Sequence, residues 1–393
     1  MALFSFQEST KVANFFYKTV GIQPYDRLDD QKQPALIYLI FYFQIITLVS
    51  MLFCEIIYVV AAFRSDNFVD AIMTLSYVGF VSVGVFKMLS VSSKKPLLTK
   101  FMQDLENMFP KTKQQQLDYE LLRYMKKSSR IIMSFAMLYM VLIWTYNLFA
   151  IMQYLIYENW LQVRHVGKEL PYLMYIPWNW RDHWTFYVLY ILQSLAGYFS
   201  AAGQIASDLL LSATATQVIM HFDYVARSIE RYDAKNSGKD IQFIHHIIRY
   251  HEKILSLTDI MNEIFGVPIL FNFMASSFVI CFVGFQMTVG VNADTLFKLC
   301  LFLISSTAQV YLICYHGQEL INASVNISSA AYNQNWYDAD VGYKKMLVLI
   351  ARRAQKPAVL KATFFLRVSR GTMTDIMQIS YKFFALIRTM YND

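Results

Sequence analysis

Seven apolar blocks divide the chain, at residues 35–63, 68–92, 131–157, 184–212, 264–290, 295–321 and 358–391. Each is long enough for a helix to cross a hydrocarbon core, which takes about 20 residues. The apolar residues come as blocks and not in strand-like alternation. This pattern predicts an all-α membrane protein with seven transmembrane helices. Ahead of the blocks, residues 1–34 form a polar lead. Its apolar positions Phe4, Val12, Phe15, Phe16 and Val20 suit an interfacial helix, ended by the breakers Gly21, Pro24 and Pro34. A further apolar run, Met346 to Ala351, is too short to cross and reads as a surface or core helix.

Composition strengthens this reading. Of the 393 residues, 56% are hydrophobic and 16% charged, against roughly 25% charged in soluble domains. The lead has no short apolar run beside a small-residue cleavage site, so the first span is expected to serve as its own insertion signal. Cys54, Cys281, Cys300 and Cys314 all fall inside apolar blocks and read as packing residues rather than a disulfide framework.

Charge then orients the chain. The lead, the loops 93–130 and 213–263, and the stretch from 322 to Lys361 together carry 25 Lys and Arg, whereas the alternate loops hold only Arg64, Arg164, Lys168 and Arg181. Basic loops stay on the cytoplasmic side. The amino terminus is therefore expected in the cytoplasm and the carboxyl terminus outside. This is the reverse of a G-protein-coupled receptor, and neither Asp-Arg-Tyr after span three nor Asn-Pro-x-x-Tyr in span seven occurs. The sequons at Asn322 and Asn326 fall on the cytoplasmic side and should remain unmodified. An odd span count without visible internal duplication also disfavours repeat-built transporters. Four segments follow: 1–34 cytoplasmic, 35–321 a six-helix bundle with its loops, 322–357 cytoplasmic, and 358–393 a last helix with a short outer tail.

Catalysis finds no support. His251-Glu252 begins a metalloprotease-like pair, but Leu255 stands where the second His is needed. His245, His246 and His251 do not share a helix face and read as solvated, not as metal ligands. No phosphate loop or nucleophile elbow is present. No cofactor, metal or nucleic-acid partner is expected.

Charges at membrane depth are more informative, because burying them is costly. They are Glu55, Lys87, Asp208, Asp375 and Lys382. Lys87, near the inner end of span two, is expected to snorkel to headgroups. Glu55 and Asp208 suit structural partners or functional groups equally. Span four carries the small residues Gly197, Ser200, Ala201, Ala202, Gly203, Ala206 and Ser207, whose spacing allows close helix packing. The outer halves of spans two to four, with loop 158–183, are crowded with aromatics, among them Tyr77, Trp144, Tyr146, Phe149, Tyr154, Tyr157, Trp160, Tyr172, Tyr175, Trp178, Trp180, Trp184 and Tyr190. Most suit the interfacial belt; a subset turned inward would line a small-molecule pocket. In the last span, Gly371, Asp375, Gln378, Lys382, Ala385 and Thr389 form a polar stripe opposite Met373, Ile376, Met377, Ile379, Phe383, Phe384 and Ile387. That stripe suits the wall of an ion path, or polar packing against a neighbouring subunit.

The segment from Gly317-Gln318-Glu319-Leu320 through Ser324, Ala331-Tyr332, Trp336-Tyr337 and Tyr343-Lys344-Lys345 to Ala354-Gln355-Lys356-Pro357, closing with Ser380-Tyr381 and Phe383, resembles the carboxyl-terminal signature of insect odorant receptors. The inverted seven-span layout and the length are similar too. The chain departs from the pattern at Arg367, Arg370, Thr372-Met373-Thr374 and Lys382. The resemblance implies an odorant-specific subunit that joins a shared co-receptor in a tetrameric, ligand-gated, nonselective cation channel of the plasma membrane, in the dendrite of an olfactory sensory neuron. Absence of the co-receptor's cytoplasmic insertion marks the tuning subunit. The resemblance puts the odorant among spans two, three, four and six. Depth and helical face there select Tyr77, Val81, Ile143, Tyr146, Phe149, Gln193, Gly197, Phe302 and Ser305. It also puts the pore on span seven, with Asp375, Gln378, Lys382, Ala385, Leu386 and Thr389 as lining. A gustatory-type homomeric channel and a metabotropic receptor are the alternatives.

Overall fold

The computed structural model describes residues 3–26, 35–65, 67–160, 162, 167–181, 183–235 and 238–392. Pro34, the basic residues Arg27, Lys32 and Arg164, and the side chain of Tyr157 lie outside the described residues. The chain runs α1 (Phe6–Thr19), α2 (Ala35–Arg64), α3 (Phe68–Ser93), α4 (Lys95–Met108), α5 (Lys113–Asp118), α6 (Leu121–Gln153), α7 (Thr185–Arg231), α8 (Gly238–Gln286), α9 (Ala293–Asn333), α10 (Val341–Ala354), β1 (Lys361–Ala362), β2 (Leu366–Arg367) and α11 (Arg370–Asn392). A wider π-helical turn, Tyr154–Trp160, extends α6.

Among the described residues, α2, α3, α6, α8 and α9 are long and apolar enough to cross a membrane. The apolar excess is diluted in α7 by Ser200, Gln204, Ser207, Asp208, Ser212, Thr214 and Gln217, all buried. These polar groups face neighbouring helices, so α7 is the inner staff of the bundle and packs on α9, α1, α3 and α6. Its small residues serve that packing. A Cβ on Gly203 would overlap the Met88 side chain, and one on Gly84 of α3 would overlap the Ser200 backbone.

The helices overrun the apolar blocks. α7, α8 and α9 have 47, 49 and 41 residues, or about 60–75 Å at 1.5 Å per residue, roughly twice a hydrocarbon core. The stretches 213–263 and 322–333, expected as loops, are mostly the projecting ends of these helices. The heptad-like rows Val218, Phe222, Val225 and Ile229 of α7 and Ile244, Ile247, Ile254, Leu257 and Met261 of α8 bury one face there, while Arg231, Lys239 and Arg249 stay partly or fully exposed. Tyr343, Leu347 and Ile350 of α10 close the cluster, as the short run around Met346 predicts. Within it His251, expected to be solvated, is buried with its ring edge-on to Phe222. Burial, with Arg353 nearby, holds its imidazole down at about 4. His245 and His246 are exposed.

The lead also differs from expectation. α1 does not lie alone at an interface: Phe6, Ala13, Phe16 and Tyr17 are buried against the bundle, chiefly α7, and Phe15 is left exposed.

The seventh span begins at Arg370, not 358. Residues 358–369 instead make a tight hairpin in which Lys361 pairs with Arg367 and Ala362 with Leu366. Val368 N–H donates to Leu360 O at 2.8 Å. Asn262 of α8 holds the hairpin from the side, accepting from Lys361 N–H at 2.8 Å and donating to Val359 O at 2.9 Å. Gly317 of α9 lets the chain past, since a Cβ there would overlap the Val368 carbonyl. The hairpin thus stands between α10 and α11, and fixes where α11 starts.

Candidate functional site

The aromatic crowd divides in two. Trp144, Trp160, Trp178 and Trp184 are exposed, as a belt requires. Tyr77, Tyr146 and Phe302 are buried in a second apolar cluster with Leu142, Val279, Val283 and Leu299, and Tyr172 packs against it. The Tyr77 ring stands edge-on to Tyr172 and Tyr146, with centroids 5.4 and 6.1 Å away. Tyr146 is edge-on to Phe302 at 5.8 Å, and Phe302 to Phe80 at 5.6 Å. Edge-to-face geometry suits the ring quadrupoles.

These rings line a cavity. Leu48, Met51 and Glu55 enter from α2, Tyr77, Phe80 and Val81 from α3, and Leu142, Ile143 and Tyr146 from α6. Gln193, Ala196, Gly197 and Ala201 come from α7, Phe302 from α9, and Tyr172 with Met174 from the loop above. Counted out to its mouth, the space is about 650 Å³, of which about 50 Å³ admits the centre of a water molecule. The first figure includes open solvent at the mouth; the second shows how closely the side chains approach one another.

The loop is tied down by hydrogen bonds. Gln193 accepts from Tyr172 N–H and donates to Tyr172 O, both at 3.1 Å. Tyr172 Oη donates to Asn147 Oδ1 at 3.0 Å, and Asn147 donates to Ser194 O at 3.0 Å. Tyr175 N–H donates to Cys54 O of α2 at 3.2 Å. Gly197 sits beneath the Tyr172 ring, where a Cβ would overlap the hydroxyl. The loop is a roof of the cavity.

Seven of the nine residues selected from sequence share this lining: Tyr77, Val81, Ile143, Tyr146, Gln193, Gly197 and Phe302. Two do not. Phe149, about one turn beyond Tyr146 on α6, is outside the lining, with Lys298 Nζ 3.9 Å from its ring centre. Ser305 is buried, one turn below Leu301, whose carbonyl accepts its hydroxyl at 2.7 Å. Helical depth alone separated these positions poorly. Among the residues missed, Leu48, Met51 and Glu55 show that α2 joins the wall; the charge of Glu55 was the one signal for it.

Directly beneath, Lys87 does not snorkel. It is 2% exposed, and its ammonium lies 2.6 Å from the Asp208 carboxylate, itself 3% exposed. Gln309 of α9 donates to the other Asp208 oxygen at 2.6 Å and to Gln204 at 3.3 Å. Gln204 donates to the carbonyl of Phe80 at 2.6 Å. A carboxylate opposite an ammonium at this depth is cheaper than either charge alone, so the pair overrides the pull toward headgroups.

The proposed pore side chains Asp375, Gln378, Lys382, Ala385, Leu386 and Thr389 are all exposed on α11. The opposite face docks: Ile376 and Ser380 are buried, Phe383 packs on Phe278 of α8 at 5.1 Å, and Tyr391 on Phe285 at 5.3 Å. Met377 and Ile379 are exposed too, leaving much of α11 uncovered by its own bundle. Among the described residues, no group of His, Cys, Asp or Glu is placed to hold a metal.

Residues 67–381 match the family described as 7tm odorant receptor. The chain is 52% identical over 383 residues to odorant receptor 85b of Drosophila melanogaster, covering 97% of this chain and 98% of that one. It is 50% identical over 384 residues to odorant receptor 85c of the same insect, with the same coverage. In fold it is similar to the insect olfactory receptor OR5 of Machilis hrabei solved in complex with eugenol, at 13% identity and a TM-score of 0.84 over 98% of both chains.

Proposed function

The chain belongs to the 7tm odorant receptor family, a multi-pass α-helical membrane fold and not an enzyme, and on that premise we propose that it is the odorant-binding subunit of a ligand-gated cation channel. The roofed aromatic cavity carries the proposal. It offers a volatile ligand shape and dispersion, with few polar contacts, and a solved neighbour of the same fold holds eugenol. The seven cavity residues named from sequence are the candidate contacts.

Ligand binding shifts a closed–open equilibrium by its differential affinity for the two states. So little of the cavity admits even a water that an odorant must spread the rings. The spread has a route to α11: Val279 and Val283 of α8 pack in the aromatic cluster, and the adjacent Phe278 touches Phe383. The exposed stripe of α11 then faces a shared pore in a heteromeric tetramer with the common co-receptor. The amino terminus lies in the cytoplasm and the carboxyl terminus outside, in the plasma membrane of an olfactory sensory dendrite. Segments 35–321, 322–357 and 358–393 act as binding bundle, cytoplasmic anchor, and pore helix with its outer tail.

Expression with and without a co-receptor, under a panel of volatiles, tests this: odorant-evoked cation current is expected only with both chains. Current from this chain alone would point to a homomeric channel, and current abolished by G-protein blockade to a metabotropic receptor. Lys382→Gln is expected to raise single-channel cation conductance, by about twofold or more, because it removes a like charge from the ion path. Unchanged conductance would turn the stripe away from the pore.

A further inference from the structure

Glu55 is a charged residue type in an apolar cavity, and no described residue hydrogen-bonds its Oε2. It is 4% exposed. Of the other polar side chains of the wall, three are engaged, while the Tyr77 hydroxyl has no hydrogen-bond partner among the described residues. Both ends of the Gln193 amide hold the Tyr172 backbone, Tyr172 Oη donates to Asn147, and Tyr146 Oη reaches Lys298 O at 3.4 Å. A buried carboxyl oxygen without a partner loses its water and gains nothing in return. Glu55 also sits where the roof closes, since the preceding residue, Cys54, accepts the hydrogen bond from Tyr175. Its side chain lines the cavity.

We infer that Glu55 is the polar anchor of this cavity, and that its preferred ligands are small apolar molecules bearing one neutral oxygen, either a hydroxyl that donates to the Glu55 carboxyl or a carbonyl that accepts from its O–H. The inference rests on the reading of this cavity as the odorant site and adds the chemical class that it selects. A hydrocarbon leaves the carboxyl unpaired. An ammonium ligand would pair with it, but has to be stripped of water among Leu48, Met51, Phe80 and Phe302, a cost that close pairing offsets only in part. A neutral oxygen carries no such cost.

The test uses the full chain co-expressed with a co-receptor, and two matched series: hexane, 1-hexanol, 2-hexanone and hexylamine; and toluene, benzyl alcohol, benzaldehyde and benzylamine. In the wild type, the oxygen-bearing members are expected to act at about tenfold lower concentration than the hydrocarbon, the worth of one buried hydrogen bond. Glu55→Leu should erase that ratio while reaching the cell surface in normal amount, because it removes an unpaired buried polar group. Glu55→Gln keeps a donor and an acceptor, and should keep the ratio within about threefold. A ratio that survives Glu55→Leu overturns the anchor, as does a wild type answering best to the amines or the hydrocarbons. Tyr146→Ala separates the two levels: if it leaves every response unchanged, or if the wild type answers to neither series, the cavity reading itself fails. If Tyr146→Ala alters responses while Glu55→Leu does not, only the anchor fails.

Discussion

Asp208→Leu is expected to remove most of the protein from the cell surface, and Lys87→Met/Asp208→Leu to restore much of it. The single change leaves the Lys87 ammonium, 2% exposed, without its carboxylate. Breaking a buried pair from one side costs about 3–5 kcal/mol, a large part of the roughly 5–15 kcal/mol that holds a typical domain folded. The double change replaces the pair by apolar groups of similar volume, which is often neutral or better. What remains is the Gln309 amide, which loses the acceptor it holds at 2.6 Å, a penalty of about 1–3 kcal/mol. Surface labelling and thermal unfolding in detergent measure the series. A double variant no better than Asp208→Leu would show that charge burial is not the reason for the loss. The restored protein should still differ in ligand sensitivity, because Gln309 and Gln204 link the pair to the carbonyl of Phe80 in the cavity wall.

That pair marks where sequence reading stops. Lys87 and Asp208 lie 121 residues apart, and taken alone Lys87 suits snorkelling, while Asp208 suits a structural partner or a functional group equally. Only the crossing of α3 over α7, set by Gly84 against Ser200 and Gly203 against Met88, brings them together. The membrane helices themselves were legible, because hydrophobic thickness imposes a length on apolar blocks whatever the tertiary structure. Their ends were not. Residues such as Val218, Phe222, Ile247 and Ile254 sit among charges, and periodic burial extends the helices well past the apolar blocks. The start of α11 was misplaced for the opposite reason: Val359, Leu360, Phe364 and Phe365 are apolar enough to extend the block, but the first two are held by hydrogen bonds from Asn262 and Val368 and the last two sit exposed at the hairpin turn. At the cavity, aromatic content drew attention to α3, α6 and the roof loop. The α2 wall was hidden because Leu48 and Met51 resemble any lipid-facing residue of that helix, and only the fold turns them inward.

Tyr146→Ala is expected to weaken the response to the strongest agonist by about tenfold or more and to shift preference toward bulkier ligands, while Phe149→Ala stays within about twofold of wild type. From sequence the two rings are equivalent: they lie three residues apart on one helix, among the same aromatics. In the fold, Tyr146 is edge-on to Tyr77 and Phe302 and parallel to Tyr172 at 6.3 Å, so its loss opens the cavity on several sides. Phe149 packs under Lys298 and is not part of the cavity lining. Each aromatic contact contributes about 0.5–1.5 kcal/mol beyond its buried area, and about 1.4 kcal/mol is a tenfold change in effective concentration. Tyr146→Phe keeps the ring and drops only a long hydrogen bond to Lys298 O; it should respond nearly as wild type. Concentration–response currents at matched surface amount decide the matter. Equal effects of the two alanine variants would mean that the ring cluster between α3, α6 and α9 is core packing rather than a binding site.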